Sequence, residues 1–277
     1  MVQAVRRAVQ ILRELATAGP RLGVTELADR LGVAKPTAHA LLRTLEAEGM
    51  VTQDRESSKY LLGPDLLLLG NAYLDTQELR TRSLTWADLL ASRAGEAVWV
   101  AVLTGDHVLV VHHAFRPAGA VQILEVGASI PWNTCALGKA MVAWAPDEAR
   151  ERLLAGQLGV LTGASLTDPE ALRAQLDTAL TTGYTLEDQE SALGDAGIAA
   201  PVFGRGGEVA GAIGVVGPVE RLLAEPARQE LAVAVRETAR NLSRDLGAPR
   251  GAARAPGPGQ GRGPSAPPTV PTPTPAA

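Results

Sequence analysis

Residues 24–51 read VTELADRLGVAKPTAHALLRTLEAEGMV, and this stretch decides the fold. Thr25 is placed to cap a first helix running through Arg30, with Leu27, Ala28 and Leu31 facing inward. Gly32 ends that helix and Val33 plugs the turn. A second helix begins near Ala34 and Lys35, where Pro36 is tolerated because first-turn amides have no intrahelical acceptor. Ala38, Leu41, Leu42 and Leu45 form its apolar stripe, and Gly49 closes it. The other face carries Lys35, Thr37, His39, Arg43 and Thr44, groups able to meet base edges and phosphates in a major groove. The bland alternative is an antiparallel helix pair in some globular core.

The next residues argue against that alternative. Met50–Gln53 and Lys59–Leu62 are short strand-like runs around the polar segment 54–58, so a β-hairpin follows the second helix directly. Helix-turn-helix plus hairpin is a winged helix, here spanning 1–62, with Arg55 and Lys59 placed to touch phosphate from the wing. The expected DNA-binding set is Thr25, Lys35, Pro36, Thr37, His39, Arg43, Thr44, Arg55 and Lys59. Upstream, residues 2–17 form an amphipathic helix with Val2, Val5, Val9, Leu12 and Leu15 on one side, stopped by Gly19-Pro20. Its Arg6, Arg7 and Arg13 fit either a solvated surface or contact with the duplex backbone.

The chain has 277 residues, a net charge of −4 and no 18-residue apolar run, so neither a membrane span nor a signal peptide is expected. A single cysteine, Cys135, forms no intrachain disulfide and suits a reducing cytoplasm. Metal and catalytic spacings such as C-x-x-C, H-E-x-x-H and G-x-S-x-G do not occur. Residues 1–62 hold nine Lys or Arg against seven Asp or Glu, and 248–277 hold three Arg and no acid, so the acidic balance lies between them. A slightly basic head on an acidic body suits a DNA reader attached to a part that stays off DNA.

Beyond Gly63-Pro64, residues 65–95 read helical almost throughout. Four consecutive leucines at 66–69 are more than one helix face can hold, which points to packing on the wing and on a second chain. From Ala97 the period changes to two, giving strands at 98–103, 107–113 and 120–126. Helices are expected at 136–145, 147–154, from Pro169 to Thr182, and at 225–246, with further strands at 183–188, 198–203 and 209–216. The fold class is mixed α/β (α+β): a winged helix, linker or dimerisation helices at 63–95, and a sensor-like domain at 96–247. Residues 248–277, with nine Pro, seven Ala and five Gly, form an expected disordered tail.

Residues 1–247 resemble the IclR family of bacterial transcription regulators. VTELADRLGV and ALLRTLEAEGMV are similar to that family's winged helix, and IPWNTCALGKAMVAW (130–144) and the run from Gly183 to Pro218 to the two blocks of its effector domain. The resemblance implies a GAF-like sheet, a homodimer or homotetramer, double-stranded operator DNA as partner, and a small-molecule effector. It implies an effector pocket of Gln122, Ile130, Cys135, Ala136, Leu137, Gly138, Glu187, Gly197, Gly214 and Val216. The chain departs from the family pattern there: Gly197 stands where cysteine is frequent, Gly214 and Val216 where serines sit, Asn133 for histidine and Cys135 for Ser or Thr.

Those changes remove polar groups and suggest added room. Amides at the start of the 136–145 helix remain open to an anionic head group. The expected effector is therefore a carboxylate with an apolar or aromatic body, with Glu187 awkward unless it is protonated or faces a hydroxyl. Lys139 after Gly138 is not a P-loop, because Asn133 and Ala140 break the motif. The expected function is an effector-controlled transcriptional regulator, a repressor rather than an activator, with no cofactor, metal or catalytic residue. The rival is a hydrolytic or metal-dependent enzyme using Cys135, His112 or His113, although neighbouring histidines on a strand point to opposite faces.

Overall fold

The computed structural model describes residues 2–19, 21–117 and 125–251. Residues 120–124 of the expected strand at 120–126 and nearly all of the 248–277 tail fall outside these residues, and 125–126 are not in a strand. The chain divides into two compact units, one ending at Glu78 and one beginning at Leu79. The break falls inside the segment read as linker helices, assigning its first helix to one unit and its second to the other.

The first unit runs α1 (Gln3–Thr17), α2 (Val24–Leu31), α3 (Lys35–Ala47), β1 (Val51–Gln53), β2 (Tyr60–Leu62) and α4 (Asp65–Asp75). Ile11, Leu15, Leu27, Leu42, Leu45 and Tyr60 close one core beneath the helices. Thr25 is not the cap of α2. Gly23 takes that place in an extended conformation, and Glu26 reaches back to accept its N–H at 2.6 Å. A glutamate at the third helical position satisfies the orphan donor by itself, which leaves Thr25 exposed inside the first turn. Gly32 ends α2 in the left-handed conformation (φ 61°), as the turn requires.

The wing has a third strand position that periodicity could not reveal. Leu22 pairs antiparallel with Tyr60, exchanging hydrogen bonds of 3.0 and 2.8 Å, so the segment before α2 is stitched to β2. Gly63 lets the chain leave the wing at the closest approach in this unit: a Cβ there would lie 2.1 Å from the Gly49 carbonyl oxygen. Helix α4 buries none of its residues, and Leu67, Leu68 and Leu69 are 69%, 69% and 55% exposed.

The second unit opens with α5 (Glu78–Ala94). It is built on a six-stranded antiparallel sheet of β3 (Ala97–Thr104), β4 (His107–Ala114), β5 (Ser129–Pro131), β6 (Thr185–Asp188), β7 (Asp195–Phe203) and β8 (Val209–Pro218). Spatial order is β5-β4-β3-β8-β7-β6. β5 was not anticipated, and neither was the short α9 (Val219–Leu222) before α10 (Ala227–Asp245). α6 (Ala136–Ala143), α7 (Asp147–Leu154) and α8 (Pro169–Thr182) cover one sheet face around Trp132, Met141, Leu154, Leu172 and Leu176. Asp168 caps α8 by accepting the Glu170 N–H at 3.1 Å. The opposite face presents Val98, Val100, Ile198, Ile213 and Val215, all fully buried, on the side covered by α10.

Candidate DNA-reading face and effector site

On α3 the buried stripe is Ala38, Leu42 and Leu45. That orientation turns Lys35, Pro36, His39, Arg43 and Thr44 to solvent, with Thr37 half-buried beside them. Lys35, His39 and Arg43 are four residues apart and form one exposed row. Thr44 spends its hydroxyl on the Ala40 carbonyl at 3.2 Å. Arg55 is exposed at the wing. Lys59 lies 3.8 Å from Glu26, with both side chains about half exposed, a pair weak enough to be exchanged for phosphate. Arg21, missed in the sequence, stands next to the wing through its 2.9 Å contact with Asp54.

In the second unit, cross-strand register decides which residues meet. Glu187, Gly197, Val216 and Ala97 lie in one row across the sheet, and Thr185, Ala199, Gly214, Trp99 and His113 in the next. Above them sits the start of α6, with Cys135 as its cap residue. A Cβ on Gly197 would lie 3.2 Å from Ala136 Cβ and 3.3 Å from Glu187 Oε2, so these three expected residues are brought together. Cys135, Leu137 and Gly138 are buried just beyond them, and Val216 is half-buried. Ile130, on β5, packs against the same helical layer. Gln122 lies outside the described residues.

Gly197 and Gly214 do not leave the room expected of them, and Gly138 is as closely packed. Gly138 backs onto the Trp132 carbonyl, where a Cβ would lie 2.2 Å from the oxygen. A Cβ on Gly214 would lie 2.7 Å from the Ile198 carbonyl oxygen. Both glycines serve close backbone approach, and α6 fills the space over Gly197. A cavity of about 300 Å³ opens beside the buried cluster, lined by Lys139, Thr178, Thr182, Tyr184 and Thr185.

The second row also contains buried polar atoms. Trp99 Nε1 and His113 Nε2 are buried without a hydrogen-bond partner among the described residues. His113 accepts the Glu125 N–H through Nδ1 at 3.2 Å, and burial lowers its pKa, so the neutral ring keeps its proton on Nε2. His112 points away, toward the charges of Asp88 and Arg80 on α5. The two histidines diverge and share no site. Period-two alternation in 107–113 was the available signal; Trp99 facing His113 was not readable, because a bulge between Val100 and Ala101 shifts the pairing of β3 with β4.

Cys135 is no nucleophile: burial pushes its thiol up to about 12. Among the described residues no three His, Cys, Asp or Glu side chains are grouped to hold a metal. Asn133, fully buried before α6, donates to the Gly159 and Leu166 carbonyls at 2.9 and 3.0 Å and accepts the Gly159 N–H at 2.9 Å. Lys139 and Glu190 form a buried ion pair of 2.5 Å. Glu187 Oε1 accepts the Glu190 and Ser191 N–H groups at 2.6 and 3.0 Å.

Burial pushes the Glu187 carboxyl up to about 7, against the pull of those two amides and of Lys139. A carboxyl raised above its unfolded value of 4.5 stabilises the fold at low pH, and that contribution fades as pH rises from 4.5 through about 7. Glu187→Gln keeps an acceptor for both amides. It is expected to be more stable than the native chain at pH 8, by on the order of 2 kcal/mol, with the difference shrinking toward pH 5. Denaturant melts of both proteins across that range check it, and a pH-independent difference would contradict the assignment.

Sequence profiles of two families match the chain in order. The IclR helix-turn-helix domain covers residues 4–55, and the bacterial transcriptional regulator IclR C-terminal domain covers residues 71–244. The glycerol operon regulatory proteins of Streptomyces griseus and Streptomyces coelicolor are 46% and 45% identical, each over 88% of this chain and 96% of its own length. A solved transcriptional regulator of this family from Alicyclobacillus acidocaldarius is 28% identical, with a TM-score of 0.76, covering 89% of this chain and 100% of its own. No helix among the described residues is long and apolar enough to cross a membrane. With the family's helix-turn-helix over residues 4–55 and its C-terminal domain over residues 71–244, the chain belongs to the IclR family of bacterial transcriptional regulators.

Proposed function

We propose that this regulator represses an operon for the use of a small polyol, reading its operator through α3 and the wing and releasing it when an effector occupies the second unit. The exposed Lys35–His39–Arg43 row carries the operator half of the reading. Thr37 and Pro36 flank it at the start of α3, where recognition helices meet base edges. Thr25, Arg55 and Lys59 add backbone contacts from α2 and the wing. The bare apolar surface of α4 supports self-association into a dimer or tetramer.

Two features support a small hydroxylated effector. The 46%-identical relative is named for a glycerol operon. Beside Gly197 a Glu187 carboxyl near half-protonation, and in the neighbouring row the N–H donors of Trp99 and His113 that have no partner among the described residues, suit hydroxyl groups, and α6 leaves little space over Gly197 for a large body. A second reading, a carboxylate with an aromatic body, is favoured by the α6 N-terminus, which has no side-chain cap, and by the nearby indole of Trp132.

Arg43→Ala is expected to weaken operator binding by about 1–3 kcal/mol if the side chain meets a base. The native complex should lose affinity with salt at a log–log slope of about −0.9 per phosphate neutralised. Fluorescence anisotropy on operator duplex checks both; undiminished affinity in an Arg43→Ala/Lys59→Ala chain would sink the assignment of this face. Release of operator by glycerol or its phosphate, against benzoate and phenylacetate, separates the two effector readings.

A further inference from the structure

We propose that the second unit carries a further anion site, apart from the effector candidate: a groove for a small organic phosphate, its dianionic head among Arg236, Arg240 and Arg250 and its apolar body against Trp144 and Phe203. The groove has a volume of about 480 Å³, within the range of small-molecule sites. It runs along the edge of β7 past the end of β6, between the C-terminal turn of α8 and α10. Among the described residues no aspartate or glutamate lines it.

Helix α10 places Arg236, Arg240 and Arg244 four residues apart, so three like charges share one face and repel. The two acids of α10 nearest in sequence do not relieve them. Glu237 accepts from Arg93 at 2.8 Å and Asp245 from the Trp86 indole at 2.7 Å, both toward α5. Arg244 is engaged with Asn241. Among the described residues no carboxylate pairs with Arg236, Arg240 or Arg250. Residues 252–277 add only two further arginines and no acid. Arg236 also lies against the end of α8, where a Cβ on Gly183 would be 3.0 Å from its Nε, and it offsets the negative end of that helix.

The opposite wall is apolar. Trp144 and Phe203 meet edge-to-face with ring centres 6.5 Å apart, and Leu180 lies beside them. A peptide adding as a strand is ruled out, because Pro201 has no N–H and the Phe203 N–H is already given to Ser243 Oγ at 2.9 Å. Guanidinium forks suit phosphate oxygens, and the dry aromatic wall suits a carbon body.

Isothermal titration of the full chain with phenyl phosphate tests the site, with inorganic phosphate and benzoate for comparison. Saturable binding is expected, tightest for phenyl phosphate. It should weaken at least tenfold in Arg236→Gln/Arg240→Gln, weaken in Arg250→Gln on the exposed turn after α10, and persist in Arg93→Gln. Circular dichroism establishes that each variant is folded, and Arg250→Gln decides the matter if the double variant is not. Absence of saturable binding, equal affinity in the groove variants, or benzoate binding as tightly as phenyl phosphate would overturn the proposal.

Discussion

Lys139→Met is expected to cost about 3–5 kcal/mol of stability in the second unit, the range for removing one partner of a buried ion pair. Lys139 is fully buried, and its ammonium is the counter-charge of Glu190 at 2.5 Å. Glu190 Oε2 already has no hydrogen-bond partner among the described residues, so losing the lysine leaves an uncompensated carboxylate beside a second buried carboxyl, Glu187. Lys139→Met/Glu190→Leu removes both charges and should recover most of the loss, since an apolar replacement of a whole pair is often neutral. All four tryptophans, at 86, 99, 132 and 144, lie in the second unit, so denaturant melts followed by indole fluorescence report on it alone. A single variant within 1 kcal/mol of the native chain, or a double variant no better than the single, would refute the account.

Asn133→Ala should follow at about 2–4 kcal/mol, measured the same way. Asn133 makes three hydrogen bonds from a fully buried position, and all three go to backbone of the 155–168 loop. Alanine would strand the Gly159 N–H and two carbonyl oxygens in a dry environment. Relaxation by water entry is hindered on one side, because Gly159 is pressed against the Pro131 ring, where a Cβ would lie 2.4 Å away. The asparagine that stands where the family often has histidine is a staple for a loop. A melt unchanged by Asn133→Ala would show that the loop does not depend on it.

The winged helix was legible because its information is local. Apolar spacing, a glycine at each helix end and the alternation after Gly49 each depend on a few neighbouring residues. The same locality explains the misplacement of the α2 cap: Thr25 and Gly23 both fit, and only the Glu26 carboxylate on the Gly23 N–H decides between them. The sheet strands were visible by period, but β5, three residues long and held by β4, carried too short a signal. For the effector site, the family blocks located Ala136, Glu187 and Gly197 together. Trp99 comes near them through its pairing with Gly214 and His113 through a β3–β4 register shifted by a bulge, and nothing in the chain order announces either. Room at a glycine was equally unreadable, since it depends on what packs opposite.

The bridge between Leu22 and Tyr60 bears on the heat of DNA association. With Leu22 held by two backbone hydrogen bonds and Arg21 joined to Asp54, the base of the wing is already ordered before any duplex arrives. Docking then carries little coupled folding. The heat-capacity change on binding operator should therefore reflect only the surface covered by α3 and the wing tip, rather than the larger value that accompanies a segment ordering on contact.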